Sequence, residues 1–183
     1  IPSREGGVEV VVDELSTRYV KLGHRVDAYN RSGYHVSGKE FDESRGKIYE
    51  GIRLITIPTF KSSSLNAMVY SVLASFRLLF GRYDVVHYHA EGPCTMLWLP
   101  KLFGYHVVAT IPGLDWQRSK WGGFAASVLK FGERMAARRA DDVIVLSKNV
   151  QDYFRETYGR ETLFIPNGVN RPECVEARAI KEK

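Results

Sequence analysis

Residues 1–30, IPSREGGVEVVVDELSTRYVKLGHRVDAYN, decide how the rest of the chain is read. Val8, Val12, Leu15, Tyr19 and Leu22 recur at spacings of four, three, four and three, the apolar stripe of a 3.6-residue period, which predicts a helix. Gly23 ends that helix, and HRVDAY (24–29) switches to the alternation of a strand. In α/β proteins a glycine turn feeding such a helix normally follows a buried parallel strand. Only Ile1 to Glu5 come before the Gly6-Gly7 turn, so a strand is expected ahead of Ile1; the alternative is a chain that starts in the loop.

Strand and helix patterns alternate from there on. A polar loop (31–46) precedes KIYEGIRLITIP (47–58), a strand pair or one bent strand ended by Pro58. SLNAMVYSVLASFRLLFGRY (64–83) reads as a helix, DVVHYH (84–89) as a strand, PCTMLWLPKLFG (93–104) as a short helix interrupted by Pro100, and HVVATI (106–111) as a strand. GLDWQRSKWGG (113–123) is a loop and FAASVLKFGERMAARRA (124–140) a helix. Strand DDVIVLS (141–147), helix KNVQDYFRETYG (148–159) and strand TLFIP (162–166) complete the pattern. Such alternation predicts a doubly wound, Rossmann-like parallel sheet with helices on both faces. The charged tail ECVEARAIKEK (173–183) reads as a linker or the first helix of a further unit.

With 183 residues, 44% of them hydrophobic, the chain can bury about 70% of its unfolded surface as one domain. The net charge of +5 is scattered, and RRADD (138–142) neutralises itself, so no nucleic-acid-binding arm is expected. The basic balance suits a solvated surface, an anionic lipid or a phosphorylated substrate. Cys94 and Cys174 form no metal-ligand pattern, and the reading is of free thiols and no metal. No signal peptide is visible, and no apolar stretch reaches the about 20 residues of a membrane span. A cytoplasmic protein is expected.

In open α/β sheets ligands sit beyond the carboxyl ends of the strands. That rule sorts the five histidines. His24 and His106 begin their strands and are structural; His35 lies in a loop; His87 and His89 close DVVHYH at the productive edge, with a buried, hydrogen-bonded role as the alternative for His87. Two further features gather there. The turn REGGVE (4–9) offers a helix N-terminus whose free N–H groups favour an anion, and glycine lets phosphate approach closely; the alternative is a turn made for packing. The turn is neither GxGxxG nor a Walker loop, which disfavours a dinucleotide or ATP. PGLDWQRSKW (112–121) crowds Asp115, Trp116, Arg118, Lys120 and Trp121 into one loop. Tryptophan faces stack on sugars, and the cations suit phosphate or carboxylate, unless the tryptophans plug the sheet edge.

Taken together, EGGVEVVVDELSTRYVKLGHRV (5–26), DVVHYHAEGP (84–93), VVATIPGLDWQRSKWGG (107–123), ADDVIVLSKNVQDYF (140–154) and FIPNGV (164–169) resemble the N-terminal domain of a GT-B glycosyltransferase of GT4 type. The resemblance is to its bacterial capsule and rhamnosyltransferase-like branch. It implies residues 1–170 as the acceptor-side domain and 171–183 as a linker toward a donor-binding domain, so that the chain is one half of an enzyme. It further implies a retaining, metal-independent hexosyl transfer from a nucleotide-sugar to a hydroxyl of a glycan or lipid-linked acceptor, with no cofactor. Gly6 and Gly7 match the loop that approaches the donor phosphates. Arg4 and Glu9 beside that loop, Glu91 in HYHAEGP, and Trp116, Arg118 and Lys120 in the following loop match the acceptor side. Many relatives carry a catalytic histidine where Pro112 stands, and its polar role would pass to Asp115 or His89. Rival readings are a non-catalytic glycan- or lipid-binding module and a nicotinamide-dependent oxidoreductase, the latter opposed by the missing GxGxxG.

Helix 64–80 bears on localisation. Arg77 is its only charge; Leu65, Met68, Val69, Val72, Leu73, Phe76, Leu79 and Phe80 fill one face, and Val69, Tyr70, Leu73 and Ala74 widen it. At roughly 25 Å it is too short to cross a bilayer but long enough to lie in its interface. The favoured reading is burial of both faces, between the sheet and a neighbouring helix; the alternative is that the outer face, with Lys61, Arg77 and Arg82 near an anionic surface, docks at the inner face of the plasma membrane.

Overall fold

A computed structural model describes residues 7–31, 47–59, 63–117 and 122–168. Helix α1 (Gly7–Lys21) runs into strand β1 (Asp27–Arg31). Strands β2 (Ile48–Tyr49) and β3 (Ile52–Ile57) form an antiparallel hairpin, so 47–58 is a strand pair. Its turn holds Glu50 and Gly51 at positive φ, the geometry that two-residue hairpin loops favour. After helix α2 (Ser63–Leu78) come β4 (Val85–His89), α3 (Glu91–Cys94), α4 (Trp98–Leu102) and β5 (His106–Ile111). A 3₁₀ turn (Asp115–Gln117), α5 (Gly123–Arg139), β6 (Asp142–Val145), α6 (Lys148–Tyr158) and β7 (Leu163–Phe164) follow.

The strands form an α/β, Rossmann-like arrangement flanked by helices. One sheet has the order β4-β5-β6-β7 with every pairing parallel. The other has the order β1-β3-β2, with β1 and β3 parallel. The apolar run of β5 explains its place inside the first sheet: Val107, Ala109 and Ile111 are fully buried and pack with Val143, Val145, Leu97 and Phe154. Helix α6 is tied at both ends, by the Ser147 hydroxyl accepting from the Val150 N–H and by Gly159 in the left-handed region.

No ladder joins the two sheets among the described residues; β1 and β4 are both edge strands. Side chains link them instead. The Tyr29 and Tyr83 hydroxyls lie 2.8 Å apart, and Tyr83 donates to Asp27 at 2.7 Å. The Tyr70 hydroxyl donates to the Tyr29 carbonyl, and Ser75 meets the Tyr88 hydroxyl at 2.9 Å.

Two local expectations are corrected. Segment 93–104 breaks at Thr95–Leu97, while Pro100 sits buried within the first turn of α4, where no helical N–H partner is required of it. The stripe of α1 is only partly covered: Val8, Tyr19 and Leu22 are exposed, and the one buried residue of the helix is Ser16.

Helix α2 settles which of its faces is inward. The buried residues are Ser71, Ser75 and Leu78, with Ser71 bonded to the Ala67 carbonyl. Met68, Val72, Leu73, Phe76 and Phe80 are exposed, Phe80 to 84%. The helix therefore places hydroxyls against the protein and its largest apolar side chains outward.

Candidate functional site: the carboxyl edge of β4 and β5

Strand alternation puts His87 and His89 on one side of β4, where their rings stack with centroids 4.0 Å apart. His87 Nε2 is 2.8 Å from the Thr110 hydroxyl on β5. Burial lowers the His87 pKa to about 4. Burial, reinforced by its neighbour His87, lowers that of His89 to about 3. Both imidazoles are thus neutral near pH 7 and can exchange hydrogen bonds without carrying charge. His24 is exposed ahead of β1, and His106 begins β5, 2.9 Å from Asp142 at the opposite edge.

Beyond His89 the chain turns through Ala90, at φ 71° and ψ 163°. An L-residue rarely adopts this conformation, which costs about 1–3 kcal/mol and persists only where surrounding contacts enforce it. Here the Ala90 N–H donates to the Thr110 carbonyl at 2.9 Å. The strained turn aims Glu91 inward: Glu91 is 1% exposed, and both its carboxylate oxygens accept from the Asp115 N–H, at 3.1 and 3.2 Å. Its carboxyl group therefore supports the neighbouring loop from beneath and is not directed outward to an acceptor.

Asp115 and Trp116 occupy the 3₁₀ turn after β5, both half-buried. The Trp116 indole N–H donates to Glu133 Oε2 at 2.7 Å, and Lys130 Nζ lies 4.6 Å from the ring centroid. That cation lies within cation–π reach of the indole. Gly7 is the exposed first residue of α1, and a Cβ placed there would meet no atom within 4 Å. Nothing in the packing of the described residues therefore requires glycine at this position. Glu9 lies half-buried in the first turn. Arg4, Gly6, Arg118 and Lys120 fall outside the described residues. The structure thus brings His89, Glu91, Asp115 and Trp116 to one edge.

Sequence reasoning missed Glu133, Tyr153 and Tyr158. Glu133 is fully buried on α5 and accepts from both tyrosine hydroxyls, at 2.9 Å from Tyr153. A signal existed: Gly132, Ala136, Ala137 and Ala140 form the small-residue inner stripe, and Glu133 is a carboxylate within it. Among the described residues no group of His, Cys, Asp or Glu could hold a metal ion. None of the described helices is long and apolar enough to cross a membrane. An apolar groove of about 370 Å³ lies between α2, the α3–α4 segment and α5, lined by Met68, Val72, Met96, Trp98, Val128 and Phe131.

Comparison with known proteins fits this arrangement. The model of Glycosyltransferase Family 4 matches residues 5–171. Among solved structures, the chain is similar to a sucrose-phosphate synthase from Thermosynechococcus elongatus, with a TM-score of 0.68 at 18% identity. That likeness concerns the fold; it covers 90% of this chain but 43% of the synthase, so the chain spans less than half of that protein's length. No match is found among curated proteins. With the family model covering nearly all of a Rossmann-like fold, the chain belongs to Glycosyltransferase Family 4.

Proposed function

We propose that this chain is the acceptor-side half of a two-domain glycosyltransferase. The whole enzyme would transfer a sugar from a nucleotide-sugar to a hydroxyl of a glycan or lipid-linked acceptor, in cell-surface polysaccharide synthesis of the capsule or rhamnosyltransferase kind. The observation that carries the reading is the family match over residues 5–171, coupled to the gathering of His89, Asp115 and Trp116 at the carboxyl edge of β4 and β5. Residues 1–170 form the acceptor domain, 171–183 lead to the donor domain, and a strand preceding the glycine turn pairs between β1 and β4. In this account Gly6 and Gly7 admit the donor phosphates at the α1 N-terminus, whose dipole favours the departing charge. Arg4, Glu9, Arg118 and Lys120 contact the acceptor beside Trp116. The neutral His89 or the Asp115 carboxylate orients the attacking hydroxyl. The transfer is of a hexose, retains configuration and requires neither metal nor cofactor.

The same proposal places the enzyme in the cytoplasm, on the inner face of the plasma membrane. What supports this is the outward apolar face of α2 and the groove beside it. The helices around that groove carry Arg77, Lys130, Arg134, Arg138 and Arg139, besides Lys101, which pairs with Asp141, while their carboxylates, Glu91 and Glu133, are buried. An apolar face with a cationic surround is complementary to an anionic lipid surface. The test of function is release of nucleoside diphosphate by the full-length protein across a panel of nucleotide-sugars, with and without lipid-linked acceptors. Acceptor-dependent release supports the reading, and its absence with every pair tested rejects it.

A further inference from the structure

Glu91 and Glu133 are both fully buried and lie close enough for the charge of Glu133 to bear on the Glu91 carboxyl. Their meeting depends on Gly132. Helices α3 and α5 cross so closely there that a Cβ on residue 132 would lie 1.9 Å from the Glu91 carbonyl oxygen. The next residue, Glu133, is thereby brought against Glu91.

The surroundings of the pair are donors without charge. Asp115 gives its N–H to both oxygens of Glu91. Trp116 gives its indole N–H to Glu133 Oε2, and Tyr153 and Tyr158 give their hydroxyls to Glu133 Oε1. Among the described residues, no cation is paired with either carboxyl. The other titratable groups facing the pair are the Asp115 carboxylate, the buried Cys94 thiol and, across the Trp116 ring, Lys130. Two neighbouring carboxylates in a dry site cannot both ionise without a large cost, whereas a pair that keeps one proton carries a single charge that these donors can satisfy.

We propose that the buried Glu91–Glu133 pair is the positioning element that seats the 115–117 turn at the carboxyl edge of the sheet. One carboxyl holds the turn by its backbone at Asp115 and the other by the Trp116 indole, so the turn is mounted at two adjacent residues. Burial, together with the charges of Glu133 and Asp115, raises the Glu91 pKa to about 8, against the opposing pull of the Asp115 N–H. The sign follows from linkage: the folded protein keeps a proton that the unfolded chain releases near pH 4.5, so the seated state loses stability as pH rises toward 8. The mount does not rest on the glycosyltransferase reading.

The test is the Trp116 indole N–H resonance of the full-length, 15N-labelled protein, identified by its loss in Trp116→Phe. The expected result is a protected resonance at pH 6.5 that shifts and loses protection as pH passes through about 8. Glu91→Gln, which keeps the shape and removes the ionisation, is expected to hold the resonance protected to high pH. Glu133→Gln removes the neighbouring charge while burial still acts on Glu91, so the step should move below pH 8, which keeps the prediction testable if Glu91→Gln fails to fold. A wild-type resonance that does not titrate between pH 6 and 10 overturns the proposal, as does a Glu91→Gln protein that titrates like the wild type. If the resonance behaves as expected while the full-length protein transfers no sugar, the mount stands and the functional reading falls.

Discussion

Replacing Gly132 by alanine tests the crossing on which the loop mount depends. The added methyl would sit 1.9 Å from the Glu91 carbonyl oxygen, 3.0 Å from its carbonyl carbon and 3.2 Å from Thr95 Cγ2. A carbon–oxygen contact normally opens to about 3.3 Å, so one helix has to retreat by about 1.4 Å. The nearest obstacles are backbone atoms that no rotamer change can move. Overpacking of this kind costs about 1–3 kcal/mol, and rigid neighbours argue for the upper end. Alanine recovers about 1 kcal/mol of helix propensity, leaving a net loss of about 2 kcal/mol. For a domain of this size that lowers Tm by roughly 4–8 °C. Gly123→Ala is the matched control, because a Cβ there meets nothing within 4 Å. Thermal melts followed by circular dichroism should show Gly132→Ala well below wild type and Gly123→Ala at or slightly above it. An unchanged or raised Tm for Gly132→Ala would refute the close crossing.

Three further outcomes follow from the same geometry. Ala90→Gly removes a strain of about 1–3 kcal/mol and adds about 0.4–1 kcal/mol of unfolded-state entropy, so chemical denaturation should show a gain of about 1 kcal/mol; a loss would mean that Ala90 is not strained. Gly7→Val should leave Tm nearly unchanged, since a Cβ at Gly7 meets nothing within 4 Å, yet cut the full-length enzyme's activity by tenfold or more, about 1.4 kcal/mol of binding. Parallel losses of stability and activity would instead assign that glycine to packing. Phe76→Glu with Phe80→Glu should abolish co-sedimentation with anionic vesicles while leaving the melt unchanged, as both side chains are exposed; binding that persists at low salt would remove α2 from the docking account.

The strands were the most legible part of the molecule, and the reason is physical. A parallel strand covered on both sides must be apolar throughout, and HVVATI and DDVIVLS say so directly. His87 and His89 could be assigned to the productive edge because strand direction alone decides it. The orientation of α2 was not legible: its apolar residues spread over more than one face, and its inward face carries Ser71 and Ser75, the latter meeting the Tyr88 hydroxyl. The Glu91–Glu133 pair was invisible for a different reason. Its partners come from α3, the 3₁₀ turn, α5 and α6, and no local pattern links segments that meet only after the sheet is built. Pro100 misled because proline breaks a helix only beyond its first turn, and here it lies within that turn.

Sugar transfer by the full-length protein, measured side by side with the isolated residues 1–183, bears most directly on the account. The full-length protein should release nucleoside diphosphate from one nucleotide-sugar in an acceptor-dependent manner and build the glycosylated product, while residues 1–183 should bind the same donor weakly and transfer nothing. Robust turnover by residues 1–183, or a full-length protein inert toward every donor and acceptor pair, would contradict it.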